Sequence, residues 1–141
     1  REMPWFGQEQ MERAQAKGPL TESAYRDALA ACRRLSRQEG LDRVFAQHNV
    51  EAIVAPSNGP SWPIDLLNGD RYTGGNSSVA AVAGYPSITV PMGFVGALPV
   101  GISFIGGAWT ERRLIALAFA FEQATSARRA PQFLPTAPFT T

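Results

Sequence analysis

The segment GGNSS, residues 74–78, places two serines behind a glycine pair, a setting in which a hydrolytic serine is often held. A serine hydroxyl is a weak nucleophile at neutral pH and needs a base beside it. Histidine is the usual base, and His48 is the only histidine in the chain. It falls at the end of a helical pattern, where a cation complements the last carbonyls. Asp42, Asp65 and Asp70 are available acids, yet no spacing among them demands a Ser-His-Asp triad. Lys17, the only lysine, lies at the polar end of the first helical pattern beside Gly18-Pro19. A lysine loses its proton near neutral pH only when desolvated or crowded by cations, so Lys17 reads as a solvated ammonium. GGNSS therefore lacks an activating base, and Asn76 or Ser77 capping a short helix explains the same residues. Cys32 is the only cysteine, which leaves no internal disulfide and no cysteine metal site. It falls on the apolar side of a helical pattern and is expected as a small core residue. There is no phosphate-binding glycine pattern, no metal-ligand spacing and no dinucleotide fingerprint, so no cofactor is expected.

Ordinary secondary structure must position these groups. Residues 4–17 read as a helix, with Pro4 in the first turn and Gly18-Pro19 as the stop. Thr21 is placed to cap a second helix in which Tyr25, Ala28, Leu29, Cys32 and Leu35 recur at helical spacing. The pattern continues past Gly40 through Leu41, Val44 and Phe45, and closes at His48 and Asn49. AIVAP, residues 52–56, is apolar without alternation, as in a strand covered on both faces. A long segment, 57–75, follows, with two further prolines and an Asn68-Gly69 turn. Loops of that length in compact domains are often functional. A short helix over 78–83 ends at Gly84. Ile88, Val90, Met92 and Phe94 alternate as a strand, with Pro91 at an edge or a bulge. Residues 100–105 form a second strand, and the Gly96-containing connection predicts an antiparallel hairpin. Thr110 is placed to cap a final helix, with Trp109 and Leu114 spaced as a hydrophobic staple. Apolar residues from Leu114 to Phe121 cover most of that helix, as expected inside a larger body. The chain from Arg128 onward is proline-rich and reads as an extended tail.

The totals narrow the possibilities. With 141 residues, 45% hydrophobic and 18% charged, the chain has the composition of one globular region with a core. The net charge is +1 and the arginines are spread out, so neither nucleic acid nor a membrane surface is an expected partner. Arg33, Arg34 and Arg37 read as a solvated helix face. No apolar run approaches the length of a membrane span. The chain opens on Arg1 and almost at once on a helical pattern, which reads as missing upstream polypeptide.

Four stretches occur in a telling order: VEAIVAPSNGP, AAVAGYPSITVPMGF, LPVGISFIGGAW and ERRLIALAFAFEQAT. Together they resemble the carboxyl-terminal portion of the amidase signature family, over residues 50 to about 134. The preceding helical stretch, 1–49, is similar to the helical segment before that portion. The resemblance implies an α/β fold: part of a mixed β-sheet flanked by helices, with a hairpin and a long final helix, within a single region 1–141 of a larger amidase domain. It also implies hydrolysis of carboxamide bonds through an acyl-enzyme, using two serines and a lysine that lie upstream of this portion. None of the three maps onto a residue here, so no catalytic residue is assigned. Many members, including glutamyl-tRNA amidotransferase subunits, carry asparagine five places before the Gly-x-Pro proline. Here that place is Ala81, which is more like the peptide-amidase branch.

The chain is then expected to complete a sheet and form part of a substrate cleft. The 57–75 loop leaves a strand end, where open α/β sheets place ligands. Asn58, to bond a substrate amide, and Trp62, to supply an apolar wall, are the candidate binding residues. Asp65, Asp70 and Arg71 are weaker candidates. The competing reading has Asn58 tying the loop to itself and Trp62 filling a core gap. The expected partner is the remaining N-terminal part of the amidase, or a second copy meeting an exposed apolar face. Two other classes stay open: a non-catalytic self-association or partner-binding module, and a small esterase using His48.

Overall fold

The computed structural model describes Met3, Pro4 and residues 6–133. The chain divides into two units, Arg1–Cys32 and Arg33–Thr141. The first holds α1 (Glu9–Gln15) and nearly all of α2 (Ser23–Arg33), neither with a buried residue. The helix expected over residues 4–17 is thus shorter at both ends. Pro4 lies in a turn, α1 starts after Gln8, and Ala16 is its C-cap. Gly7 falls where the longer helix would continue, and glycine costs a helix about 1 kcal/mol relative to alanine. Cys32 is exposed, not a core residue, because α2 buries no face that it could join.

In the second unit a wide π-type turn, Arg34–Leu41, breaks from helical geometry at Gly40 (φ −106°, ψ −108°). The single helix expected across Gly40 is therefore interrupted, and α3 (Asp42–His48) begins anew. Its end follows the sequence reading: His48 is the last residue, and Asn49 turns left-handed at φ 48°.

Three strands, β1 (Ile53–Pro56), β2 (Ser87–Val95) and β3 (Leu98–Ile105), pair in the order β1-β3-β2, antiparallel at both seams. The β2–β3 hairpin turns at Gly96, and the register slips between Pro91 and Gly93, the bulge that Pro91 led one to expect. Successive residues of a strand face opposite sides of a sheet. Ile105 accordingly packs with Leu41, Ala80 and Ala83 on one side. Phe104 packs with Val90, Leu114 and Ala118 on the other. Helices therefore flank both faces: α4 (Ser77–Ala83) with Leu41 on the first, α5 (Glu111–Thr125) on the second. Gly84 ends α4 in a left-handed conformation (φ 66°) that a side chain would strain.

The double cover expected of AIVAP is only half present. Ile53 joins the first core, but Val54, on the other face, is 54% exposed. The cause is the placement of α5, which lies over β2 and β3. Nor does the staple at the start of α5 form. Trp109 is 90% exposed with φ 64°, while Leu114 is buried. Thr110 occupies the N-cap position, but its hydroxyl donates backward to the Gly107 carbonyl (2.8 Å). Ile115 and Phe119 of α5 are 58% and 61% exposed, an apolar face without cover among the described residues. No helix among the described residues is long and apolar enough to cross a membrane.

One polar cluster fastens the wide turn and α3 to the α4–β2 connection. The Arg37 Nε–H donates to the Ala83 carbonyl (2.6 Å), and the guanidinium lies 5.3 Å from the centre of the Tyr85 ring. The Tyr85 hydroxyl donates to Asp42 (2.7 Å). Burial, then the bond to the Asp42 carboxylate, hold the phenol's pKa above its ordinary 10.0.

Replacing Tyr85 by Phe is expected to lower unfolding stability by about 1.5–3 kcal/mol, the usual range for a bond to a charged acceptor. The wild-type phenol's contribution is fully present below its ordinary pKa and is lost as pH rises through the raised folded value. Denaturant titrations from pH 8 to 11 should therefore show the Tyr85→Phe deficit shrinking at the alkaline end. Leu114→Ala removes a side chain that is only 2% exposed, at the centre of the second core. It is expected to cost about 2–5 kcal/mol, read as a fall in the denaturant midpoint.

Candidate functional site

The long loop leaves β1 at Ser57 and returns at Asn76, and its neck is closed by several bonds. Asn58 and Gly75 form an isolated antiparallel bridge. The Gly59 N–H donates to the Gly74 carbonyl (3.3 Å), and the Asn76 N–H to the Ser57 carbonyl (3.2 Å). The Asn76 side-chain amide donates to the carbonyls of Ala55 (3.3 Å) and Pro56 (2.8 Å). Asn76 does sit at the N-cap position of α4, as the sequence reading allowed. Its side chain, however, caps the end of β1 and makes no cap bond to the helix. At Gly75 a Cβ would collide with the Asn58 side-chain Oδ1 and crowd the Tyr72 hydroxyl, so the glycine makes room for these two side chains.

Beneath the neck lies a group of three hydroxyls that the sequence reading missed. Ser57 Oγ donates to Thr89 Oγ1 (3.2 Å), Ser57 and Ser103 oxygens are 2.7 Å apart, and Thr89 and Ser103 2.9 Å. Ser103 is 2% exposed and sits in β3 opposite Thr89 of β2 and Ala55 of β1. Buried hydroxyls need partners, and Ser103 finds two here.

Farther along the loop the side chains partner one another. The Trp62 indole N–H donates to Asp70 (3.1 Å), and its ring meets Tyr72 edge-on, 6.0 Å between centroids. Asp65 accepts from the backbone N–H groups of Leu67 and Asn68 (both 2.9 Å) and from the Asn68 side chain (2.8 Å). These bonds, those from Asn68 first, hold its carboxyl below the ordinary carboxylate range. Its support of the turn is present above the ordinary pKa of 3.8 and is lost as pH falls through the lowered value. The Gly69 N–H bonds back to the Asp65 carbonyl (3.0 Å), completing the Asn68-Gly69 turn.

The structure thus brings Trp62 and Asp70 together and spends Asp65 on its own turn. Trp62 is half-buried against Tyr72 in the loop, not in either core. Asn58 and Arg71 are exposed. Ser77 opens α4 and Ser78 follows it, so GGNSS is a helix start. Among the described residues no hydrogen bond joins either serine to His48, and no three His, Cys, Asp or Glu side chains gather as metal ligands. A separate open groove of about 360 Å³, lined by Arg37, Tyr85, Trp109 and Glu111, shares no residue with the loop.

No model of a known family matches the sequence. Individual proteins do. The peptide amidase of Stenotrophomonas maltophilia superposes with a TM-score of 0.84 at 48% identity, covering 92% of this chain and 26% of that one. A probable amidase of Arabidopsis thaliana is 38% identical over 130 residues, which are 92% of this chain and 22% of the relative. A glutamyl-tRNA(Gln) amidotransferase subunit of Dechloromonas aromatica (strain RCB) is 31% identical over 131 residues, 85% of this chain and 26% of that protein. The chain spans about a quarter of the length of the proteins it matches. Ala81, standing where asparagine is common, fits the greater identity to the peptide amidase than to the amidotransferase. The order of the four sequence stretches, the helix-flanked sheet and these likenesses agree that the chain belongs to the amidase signature family, as a carboxyl-terminal portion of the peptide-amidase-like branch.

Proposed function

We propose that this chain serves an enzyme that hydrolyses linear carboxamide bonds, completing its sheet and forming one wall of its substrate cleft through the 57–75 loop. The observation that carries the reading is the loop itself. It leaves the end of β1, is closed at a narrow neck, and presents Asn58 at its base with Trp62 braced by Asp70 and Tyr72. A braced indole is an apolar wall already in place, so little rotamer freedom is lost when a ligand meets it. Asn58 has an amide side chain that can both donate to and accept from a substrate carboxamide.

The serines and lysine of the reaction belong to the preceding part of the enzyme, so this chain alone is inactive. Lys17 is exposed just beyond α1. The partner of this chain is that preceding part, and the exposed Val54, Ile115 and Phe119 suit burial against it. A second reading, self-association, draws on the same residues: without its partner the isolated chain would cover this face with a copy of itself.

Purified alone, the chain is expected to leave a peptide amide intact. Joined to the rest of the S. maltophilia peptide amidase in place of the matching segment, it is expected to give an active enzyme. Turnover by the isolated chain that disappears in His48→Ala would overturn the reading in favour of the small esterase. Within the joined enzyme, Asn58→Ala and Trp62→Ala are each expected to lower kcat/KM for a peptide amide about 10-fold, the loss of roughly one good contact. Unchanged kinetics in both would remove the loop from the cleft. Sedimentation of the isolated chain should show a concentration-dependent dimer or larger species, and Phe119→Glu should weaken it; a clean monomer at all concentrations would count against the uncovered face.

A further inference from the structure

We infer that the three hydroxyls of Ser57, Thr89 and Ser103 form a positioning device that sets the aim of Asn58 and, through the neck, the placement of the loop. The inference rests on the proposal that this loop meets substrate.

Three hydroxyls carry three protons, and three contacts join them. Ser57 donates to Thr89. If Thr89 donates to Ser103 and Ser103 to Ser57, every hydroxyl gives one bond and receives one, and the ring is closed. Such rings polarise each bond in the same sense, which strengthens the set beyond three independent bonds. The ring cross-links groups from three places in the chain: the end of β1, the middle of β2 and the middle of β3.

The backbone ladder alone would align these strands, and the Ser57 N–H already donates to the Gly101 carbonyl (2.8 Å). What the ladder does not fix is the direction in which the chain departs after β1. Ser57 immediately precedes Asn58, so a rotation at Ser57 re-aims Asn58 directly. Its carbonyl also accepts from the Asn76 N–H, so the same rotation disturbs the returning limb of the loop. Tethering the Ser57 side chain to Ser103, which is almost fully buried, transfers the rigidity of the central strand to the loop base. Valine at 89 and 103 would suit a strand equally well or better by packing and propensity. The polar choice at both places is intelligible if the hydroxyls are there to hold Ser57.

The test is made in the joined, full-length enzyme. Thr89→Val keeps the shape of the side chain and removes its hydroxyl; Thr89→Ser keeps the hydroxyl. Ser103→Ala opens the ring from the buried side, and Ser57→Ala opens it at the loop should Ser103→Ala fail to accumulate. Thr89→Val and the ring-opening alanines are expected to raise KM for a peptide amide about 3- to 10-fold with kcat little changed, as for loss of binding shared by ground and transition states. Thr89→Ser is expected to restore KM, which a purely structural packing role for Thr89 would not require. Hydrogen exchange at the Ser57, Gly59 and Asn76 amides should speed up in Thr89→Val while exchange at Gly106 stays unchanged. KM unchanged in the ring variants, alongside raised KM in Asn58→Ala and Trp62→Ala, overturns the positioning role and leaves the cleft wall standing. Silence in Asn58→Ala and Trp62→Ala overturns the cleft wall and the inference with it, and the exchange data still show whether the ring holds the neck.

Discussion

Strand β3 is hydrogen-bonded along both edges, and the rest of the second unit is arranged around that fact. Its register sets Ile53 and Ser87 opposite the same residue, Ile105, and Val54 and Ile88 opposite Phe104. Because side chains alternate across a sheet, these two neighbouring positions seed two cores on opposite faces. A slip of one residue in β3 would turn Ile105 toward α5 and Phe104 toward α4, and would expose Ser103's present partners to the wrong strand face. The bulge at Pro91 tolerates the missing donor of that proline without carrying the slip into the rest of the hairpin.

Ser103 is the polar member of this apolar strand, two residues before Ile105 and on the same face. Its burial is acceptable because two hydroxyls reach it, one from each neighbouring segment. The ladder, the first core and the base of the long loop are therefore one construction. The Ile105 side holds α4 and Leu41 in place. On that same face Ser103 holds Ser57, and the neck bonds of Asn76 tie the start of α4 back to the end of β1. A loop of this length ordinarily carries a large conformational entropy, and here it is reduced at the neck, with Trp62, Asp70 and Tyr72 forming a second constraint farther out.

Most of the element order was legible because it rests on local signals. The Gly96 hairpin, the Pro91 bulge, the Gly84 and Asn49 helix ends and the Asn68-Gly69 turn each depend on what one or two residues permit the backbone. Several failures arise where a side chain takes a partner other than the one its spacing suggests. Asn76 is a good helix cap by type, yet its amide satisfies the exposed carbonyls of Ala55 and Pro56. Thr110 turned to Gly107, and Trp109, spaced for a staple, projects into solvent with a left-handed backbone. Alternation in AIVAP was hidden because Ala52, Ile53, Val54 and Ala55 are all apolar, so period two leaves no mark when one face happens to lack cover. At the site, Asn58 and Trp62 stood out as a polar and an aromatic residue in a long loop, but Asp70 as the indole's acceptor did not. The hydroxyl ring had no local signature at all. Its members are 32 and 46 residues from Ser57, and the Thr in SITV and the Ser in GISF fall on the polar phase of an apolar alternation, where each reads as an ordinary surface residue.

The resemblance of GGNSS to a nucleophile setting has a physical basis. Both a helix start and an exposed nucleophile need a flexible approach, a small polar side chain and free backbone N–H groups ahead of it. Gly74, at φ 109°, supplies the approach, Asn76 the N-cap position, and Ser77 and Ser78 the first turn of α4. What separates the two roles is a proton acceptor within hydrogen-bond reach of the hydroxyl, and such a partner is a tertiary property that no five-residue window contains. His48 closes α3 with its ring at a helix terminus, and Lys17 stands exposed in the other unit. The hydroxyls of Ser57 and Ser103 have defined partners, and those partners are other hydroxyls. A ring of hydroxyls has no strong base in it, so the role proposed for it is to fix geometry.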